Sequence, residues 1–119
     1  MIAVIFEVEP ADGQGQAYLD AAVELRELLH DAPGFISIER FESLTQPGKL
    51  LSLSFWQDEA SVKRWRTLDA HRAVQSAGRE RIFTNYRLRV ATVLRDYGMT
   101  RREQAPRDSR VAHEKSRHA

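Results

Sequence analysis

Residues 33–58 read PGFISIERFESLTQPGKLLSLSFWQD, and this stretch decides the fold. Residues 35–41 and residues 50–56 are two strand-like runs rich in apolar residues, in which successive side chains would point to opposite sides. The segment between them contains Thr45, Gln46, Pro47 and Gly48, which are typical of a turn. The stretch therefore predicts a β-hairpin.

On the N-terminal side of the hairpin, the sequence predicts a strand followed by a helix. Residues 2–9 are rich in β-branched and aromatic side chains, and Pro10 ends the run because it has no N–H for a ladder. After a loop over residues 11–16, apolar residues recur at three- and four-residue steps, which predicts an amphipathic helix of about four turns. These apolar residues are Leu19, Ala22, Val23, Leu25 and Leu29. Pro33 and Gly34 end the helix.

On the C-terminal side, the sequence predicts a second helix and a last strand. Asp58 is a suitable N-cap, and Val62, Trp65 and Leu68 follow it at three-residue spacing. The helical pattern continues through residues 69–81, but its spacing shifts near Leu68, so we expect a bent or two-piece helix. Alternation over residues 86–96 predicts the fourth strand.

The order strand, helix, strand, strand, helix, strand predicts an α+β ferredoxin-like βαββαβ fold with an antiparallel four-stranded sheet. Both helices should cover one face of that sheet. The first and third strands are apolar on both sides, so the opposite face would be an exposed apolar patch in a monomer. We therefore expect two copies to pack sheet to sheet as a homodimer, the arrangement of a dimeric α+β barrel.

Composition limits the kinds of function. The 119 residues include no cysteine, which excludes thiolate chemistry and cysteine-ligated metals. Residues 100–119 contain six Lys/Arg and three Asp/Glu, so this segment is basic. Residues 1–99 contain twelve Lys/Arg and fourteen Asp/Glu, so the rest of the chain is slightly acidic. We therefore expect a folded domain over residues 1–99 with no nucleic-acid partner, and a basic, solvated tail over residues 100–119. A short helix from about Ser109, docked on a partner subunit, is the alternative for that tail.

The location of the protein is also predicted from the sequence. The longest apolar run, residues 2–6, is too short to span a bilayer, and no secretion signal is evident at the N-terminus. We therefore expect a cytoplasmic protein without a membrane partner.

Few residues of the domain are suited to catalysis. Only His30 and His71 are histidines within residues 1–99, and the motifs of hydrolases, kinases and nicotinamide enzymes are missing from the sequence. His30 is interpreted as a helix-end residue. On a straight helix Trp65 and His71 would lie about 120° apart, so only a bend between them would let both face one cavity. The plain alternative is that Trp65 fills the core and His71 hydrogen-bonds a loop.

Residues 1–97 resemble the antibiotic biosynthesis monooxygenase (ABM) group of dimeric α+β barrel proteins. The similarity rests on the opening apolar strand, the segment PGFISIERF at 33–41, the junction SFWQD at 54–58, Trp65, the pair His71-Arg72, and the closing RDY at 95–97. The resemblance implies a dimer, as the two-sided strands also do.

The ABM group includes enzymes that oxidise aromatic phenols to quinones with O2 and without flavin, metal or nicotinamide. The resemblance implies a cofactor-independent monooxygenase for a small or polycyclic aromatic substrate of the phenol or quinol type. A deprotonated phenol is itself the reductant, so such a protein needs an aromatic cavity and a proton acceptor. Trp65 would be the cavity tryptophan and His71 the proton acceptor. The possible stabilisers of developing oxyanion charge are Arg72, Arg79 and Asn85. The possible wall residues are Phe55, Phe83 and Tyr86.

Two alternatives stay open. A second branch of the superfamily degrades haem, and the resemblance then implies haem as cofactor, with Trp65 beside the ring. In this sequence Gln75 stands where that branch places its histidine ligand, and Phe6 and Glu7 stand in place of its first-strand asparagine, so His71 would have to become the ligand. The other alternative is a non-catalytic dimer that binds a small apolar ligand.

Overall fold

A computed structural model describes residues 1–68 and 82–118 of the chain. Its strands are β1 (Ile2–Pro10), β2 (Phe35–Glu42), β3 (Leu50–Trp56) and β4 (Phe83–Thr92). Its helices are α1 (Gly15–His30), α2 (Glu59–Arg66) and α3 (Arg107–His118). The four strands form one antiparallel sheet in the order β2-β3-β1-β4. The predicted ferredoxin-like α+β fold is therefore confirmed.

The two faces of the sheet differ because side chains alternate along each strand. The inner face carries Val4, Phe6, Ser52, Ser54 and Trp56, which pair across β1 and β3 and lie toward the helices. The outer face carries Ala3, Ile5, Leu51, Leu53 and Phe55, which pair across the same two strands. Both faces of β1 and β3 therefore have an apolar centre, as the sequence predicts.

The core lies between the inner face and the two helices that cover it. Leu29 of α1, Trp56 of β3, and Val62 and Trp65 of α2 are buried together. On α1 the inward positions are Tyr18, Ala22, Leu25 and Leu29, at helical spacing. The sequence also assigned Leu19 and Val23 to this stripe, but they are 39% and 65% exposed because they lie on the other side of the helix.

The turn between α1 and β2 packs closely against the start of α2. Gly34 has a φ of +82°, and a Cβ at this position would lie 2.5 Å from Cβ of Ser61 and closer still to its Oγ. The carbonyl of Gly34 also accepts a hydrogen bond from the backbone N–H of Gln57 at 2.8 Å. A glycine is required here because the backbone is left-handed and the neighbouring helix leaves no space for a side chain.

The second helix begins as predicted. Asp58 is its N-cap, and the carboxylate accepts from the backbone N–H of Ser61 at 2.8 Å. The described helix ends at Arg66, and the hydroxyl of the next residue, Thr67, donates to the carbonyl of Lys63 at 2.9 Å. The predicted continuation over residues 69–81 lies outside the described residues.

The last strand lies several residues earlier than predicted. The sequence places it at residues 86–96, whereas β4 spans Phe83–Thr92. The bounds of β4 follow from its pairing with β1. Pro10 at one end of β1 lies opposite Phe83, and Ile2 at the other end lies opposite Thr92. After Thr92 one further bond, from the N–H of Val93 to the carbonyl of Met1, ends the pairing.

Residues 107–118 form α3, where the composition favours a solvated tail. Local contacts explain the difference. Pro106 precedes the helix, the guanidinium Nε of Arg110 donates to the carbonyl of Ala105 at 3.0 Å, and Ala105 is buried. Docking of this helix on a partner subunit stays a prediction. Within the described residues, none of the helices combines the length and apolarity that crossing a membrane requires.

Candidate functional site

A cavity of about 190 Å³ lies between the inner face of the sheet and helices α1 and α2. Most of its lining is aliphatic or aromatic. All four strands and both helices contribute, through Val4, Phe6, Tyr18, Ala21, Ala22, Leu25, Leu29, Ile38, Arg40, Ser52, Ser54, Trp56, Val62, Trp65, Arg66, Phe83, Leu88 and Val90, together with Ile82 just before β4. Leu88 and Val90 are 47% and 45% exposed, so the described residues do not close the cavity along β4. An apolar cleft with a few polar groups is the usual form of a small-molecule site.

Aromatic rings stand in two groups along the cavity wall. Phe6, Tyr18 and Phe83 form one group, with ring centroids 5.8–6.4 Å apart. The indoles of Trp56 and Trp65 form the other, with centroids 6.2 Å apart and planes inclined by 34°. These are the two tryptophans of the chain. The wall of the cavity therefore has two aromatic parts, a lining suited to a ring-shaped ligand.

The polar groups of the lining come from β2, β3 and α2. Ser52 and Ser54 are buried on β3, and the hydroxyl of Ser54 accepts a hydrogen bond from Nε1 of Trp56 at 3.0 Å. Arg40 lies directly opposite Ser52 in the β2–β3 register. Arg66 also lines the cavity but is solvent-exposed. Among the described lining residues there is no acid, so the charged side chains of this wall are both cations.

Arg40 is a site residue that the sequence analysis did not assign. Its Nε atom is buried and has no hydrogen-bond partner among the residues that the structure describes. The sequence could have indicated this residue. Strand alternation places Arg40 on the same side of β2 as Ile38, a side that faces the core and normally carries apolar residues. A charged side chain at an inward strand position indicates a polar task in the cavity.

Two of the expected site residues line the cavity. Trp65 is 9% exposed on α2, and Phe83 lies at the start of β4. Tyr86 is on the inner face, where its ring lies 5.7 Å from that of Phe6 and 6.1 Å from that of Phe83. Tyr86 therefore packs against Phe6 and Phe83, which line the cavity, but is not itself a lining residue.

Phe55 and Asn85 lie on the outer face, so their assignment to the cavity was wrong. Phe55 pairs with Ala3, and strand alternation turns it away from the cavity because Trp56 faces inward. Asn85 pairs with Glu9 of β1. Hydrogen bonds from Gln46 and, less strongly, from Asn85 hold the pKa of Glu9 below its ordinary value. Asn85 thus acts on a carboxylate at the outer face.

The other expected site residues, His71, Arg72 and Arg79, lie outside the described residues. The same holds for Gln75, which entered the comparison with haem-degrading proteins. The geometry between Trp65 and His71 therefore stays a prediction.

Haem fits the described cavity poorly. Pockets for drug-sized ligands have volumes of about 300–1,000 Å³, and haem is at least that large, whereas this cavity measures about 190 Å³. Its described wall also has no histidine. Across residues 1–68 and 82–118, the structure gathers no group of three His, Asp or Glu side chains that could hold a metal ion.

Comparison with known proteins gives a family match and several relatives. A model of the family described as antibiotic biosynthesis monooxygenase matches residues 1–77. The chain is 47% identical over 93 residues to a jasmonate monooxygenase ABM from Pyricularia oryzae, a match that covers 78% of this chain and 43% of that protein. The chain thus spans less than half the length of this relative.

Solved structures share the fold. A crystal structure of a putative antibiotic biosynthesis monooxygenase from Deinococcus radiodurans has a TM-score of 0.75 at 13% identity, with 84% of this chain and 99% of that chain covered. SnoaB, a cofactor-independent oxygenase from Streptomyces nogalater, has a TM-score of 0.69 at 10% identity, with 80% and 94% covered. At these identities the likeness extends to the fold alone.

Proposed function

The chain belongs to the antibiotic biosynthesis monooxygenase family, and on that premise we propose that it is a cofactor-independent monooxygenase that oxidises a small, electron-rich aromatic compound with O2. The inner cavity, with Trp56 and Trp65 on its wall, is the observation that carries this proposal. The likeness in fold to a cofactor-independent oxygenase is consistent with it.

The size of the cavity favours a small substrate. An apolar cavity of about 150 Å³ in another protein accommodates benzene, and the cavity here measures about 190 Å³. A one-ring or compact two-ring phenol is therefore a better candidate than the larger polycyclic compounds that the family resemblance also admits.

The proposed reaction needs no external reductant. Loss of the phenol proton gives a phenolate, which transfers one electron to O2, and the two radicals combine to form a carbon–oxygen bond at a ring carbon. Loss of the hydrogen on that carbon as a proton, with cleavage of the O–O bond, leaves a quinone oxygen on the ring and releases water. One phenol and one O2 thus give one quinone and one H2O.

The protein would contribute binding, orientation and proton transfer. Trp65 and Trp56 would form an aromatic part of the wall beside the ring, and the aliphatic lining from α1 would shield the ring from water on that side. His71 is proposed as the proton acceptor and Arg72 or Arg79 as stabilisers of the developing oxyanion, on the family resemblance.

A second candidate substrate is jasmonate, because the relative that is 47% identical is named a jasmonate monooxygenase. It is proposed only as a compound to test beside the phenols.

Oxygen uptake by the purified, EDTA-treated protein tests the proposed function. With 1-naphthol, a phenol that has a single oxygen, we expect uptake above the protein-free rate, one O2 for each quinone formed, and one labelled oxygen in the quinone from ¹⁸O2. Trp65→Phe should slow the reaction, whereas Val23→Leu, at an exposed position of α1, should not. Saturable binding of the phenols without oxygen uptake would instead support a ligand-binding protein. A 1:1 haemin complex with a shifted Soret band would support the haem alternative.

We also propose that the outer face joins two copies in a homodimer. The apolar centre formed by Ile5, Leu53 and Phe55 is only half-buried in the single chain. Glu7 forms ion pairs beside it with Lys49 at 3.6 Å and Arg89 at 3.5 Å. An apolar centre with a charged rim is the usual anatomy of a protein interface. The cytoplasmic location and the absence of nucleic-acid and membrane partners also stay proposals.

A further inference from the structure

The guanidinium of Arg40 is placed where it can act on a bound molecule. Arg40 extends from β2 into the cavity wall, across from the buried hydroxyl of Ser52. Its Nε atom is buried without a hydrogen-bond partner among the described residues. The ion pairs of the described structure involve Glu7, Lys49 and Arg89 and leave Arg40 out.

Such an arginine is costly to the free protein. Arg40 is half-buried, and its guanidinium stays charged under all ordinary conditions, so the enclosed Nε–H cannot be removed by loss of a proton. A buried charged donor without an acceptor is unfavourable, and the surrounding wall is mainly aliphatic and aromatic. An anion from outside the chain would supply the missing acceptor.

We propose that Arg40 binds a carboxylate group of the substrate, so that the cavity selects compact ring compounds that carry an acid. This names the substrate class of the proposed oxygenase and rests on that function for the chemical step, but the binding itself does not depend on it. Nε and one terminal nitrogen of Arg40 match the two oxygens of a carboxylate side-on. Ser52, its partner in the register of the sheet, also lines the cavity and would be an additional donor.

A carboxylate fits this site better than a phenolate oxygen does. The guanidinium presents two parallel N–H donors, and the two oxygens of a carboxylate accept from both at once. A phenolate has only one oxygen and cannot form this pair of parallel hydrogen bonds. Arg66, exposed at the same cavity, adds positive charge that attracts an anion toward it. The apolar lining would hold the ring while the guanidinium holds the acid.

A matched pair of probes tests the assignment without any reaction. Phenylacetate and phenylacetamide have nearly the same shape and differ in charge. Calorimetric titration of the full chain should show that the acid binds about tenfold or more tightly than the amide. Because both tryptophans line the cavity, a change in their fluorescence should accompany binding.

Variants separate Arg40 from the other cations. Arg40→Gln should remove the preference for the acid while changing the affinity for the amide by less than about threefold, and Arg40→Lys should keep part of the preference. Arg87→Gln, on the outer side of β4, is the control and should keep all of it. Thermal unfolding followed by circular dichroism would show that each variant is folded.

Three results would overturn the assignment. They are equal affinity of the wild type for both probes, no binding of either probe, and a full preference for the acid in Arg40→Gln. If the Gln variant does not fold, the wild-type comparison and Arg40→Lys decide. Because no oxygen is consumed in these titrations, a failure of the oxygenase reaction would leave the result for Arg40 standing, and the reverse also holds.

Discussion

Nε1 of Trp56 donates a hydrogen bond to Oγ of Ser54 at 3.0 Å, between two buried side chains on the same face of β3. Residues two apart on a strand point the same way, so the serine lies beside the indole that it must satisfy. The bond lets a large aromatic ring form part of an apolar wall without a buried, unpaired N–H.

Replacing that serine should destabilise the protein. In Ser54→Ala the indole N–H of Trp56 loses its acceptor, and we expect the free energy of unfolding to fall by about 1–3 kcal/mol. Urea denaturation followed by tryptophan fluorescence measures it. Ser37→Ala, at an exposed strand position, should change stability by less than about 0.5 kcal/mol. Equal losses in the two variants would contradict the role given to this bond.

Gly34→Ala should cost more than Gly48→Ala. Both glycines have a positive φ, +82° and +85°, so each substitution forces a left-handed alanine at a cost of about 1–2 kcal/mol. Only at Gly34 does the new methyl also meet the side chain of Ser61, whereas the space around Gly48 is open. We expect a further loss of about 1–3 kcal/mol from this overlap. Chemical denaturation of both variants measures the difference, and similar losses would mean that Ser61 moves away freely.

Asp58 should contribute to stability in a pH-dependent way. The hydroxyl of Ser61 at 2.6 Å and the backbone N–H of the same residue at 2.8 Å hold the pKa of Asp58 below its ordinary value of 3.8. Because the folded-state pKa is the lower one, the contribution is present above pH 3.8 and is lost as the pH falls through the folded-state pKa.

Asp58→Asn removes this titration but keeps a side chain that can cap a helix. We expect the stability advantage of the wild type over the variant to shrink as the pH falls below about 4. Denaturation at a series of pH values measures this advantage. Glu59→Gln, one residue further on, is the matched control, and the same pH profile for both variants would argue against a special role of Asp58.

Filling the cavity should block binding without unfolding the protein. Ala22 lines the cavity from α1, and Ala22→Leu places a larger apolar side chain in it. We expect affinity for phenylacetate to fall at least about tenfold, while stability stays equal or rises by about 1 kcal/mol. Val23→Leu, on the exposed side of the same helix, should leave both unchanged. Unchanged binding by Ala22→Leu would mean that the ligand binds elsewhere.

A charge on the outer face should separate the proposed dimer. Leu53 lies at the centre of that face, between Ile5 and Glu39 in the sheet register, so Leu53→Asp would bury a carboxylate in the interface. Light scattering should give twice 13.7 kDa for the wild type and 13.7 kDa for the variant. Leu44→Asp, at a position 99% exposed, should remain dimeric. A monomeric wild type at micromolar concentration would refute the dimer.

The parts of the fold that depend on local sequence were predictable. The bounds of β3 and the N-cap Asp58 agree with the prediction because alternation, turn residues and capping act within a few residues. The ends of β4 were not predictable in the same way, since its hydrogen-bonding partner β1 lies at the other end of the domain. The helix α3 was predicted only as an alternative to a solvated tail, because its sequence is poor in apolar residues and a contact such as that of Arg110 with the backbone of Ala105 leaves no periodic pattern.

The candidate site was predictable only in part. Trp65 was found from its place in the family pattern, and it lines the cavity. Phe55 was chosen for its residue type, although the strand alternation already placed it opposite Trp56. Arg40 was overlooked because charged residues on an edge strand such as β2 are usually solvated. The burial of its Nε atom depends on how the cavity wall is assembled in three dimensions.

Strands β1 and β4 are neighbours in the sheet although they are the most distant strands along the chain. Val4 and Phe6 from one, and Leu88 and Val90 from the other, complete the cavity. Such a non-local pairing forms slowly, because the chain loses the entropy of closing a long loop before the strand contacts can stabilise the sheet. The binding chamber is therefore completed by the strand pairing that closes the longest loop of the sheet, and a molecule that occupies it would tie the two ends of the domain together.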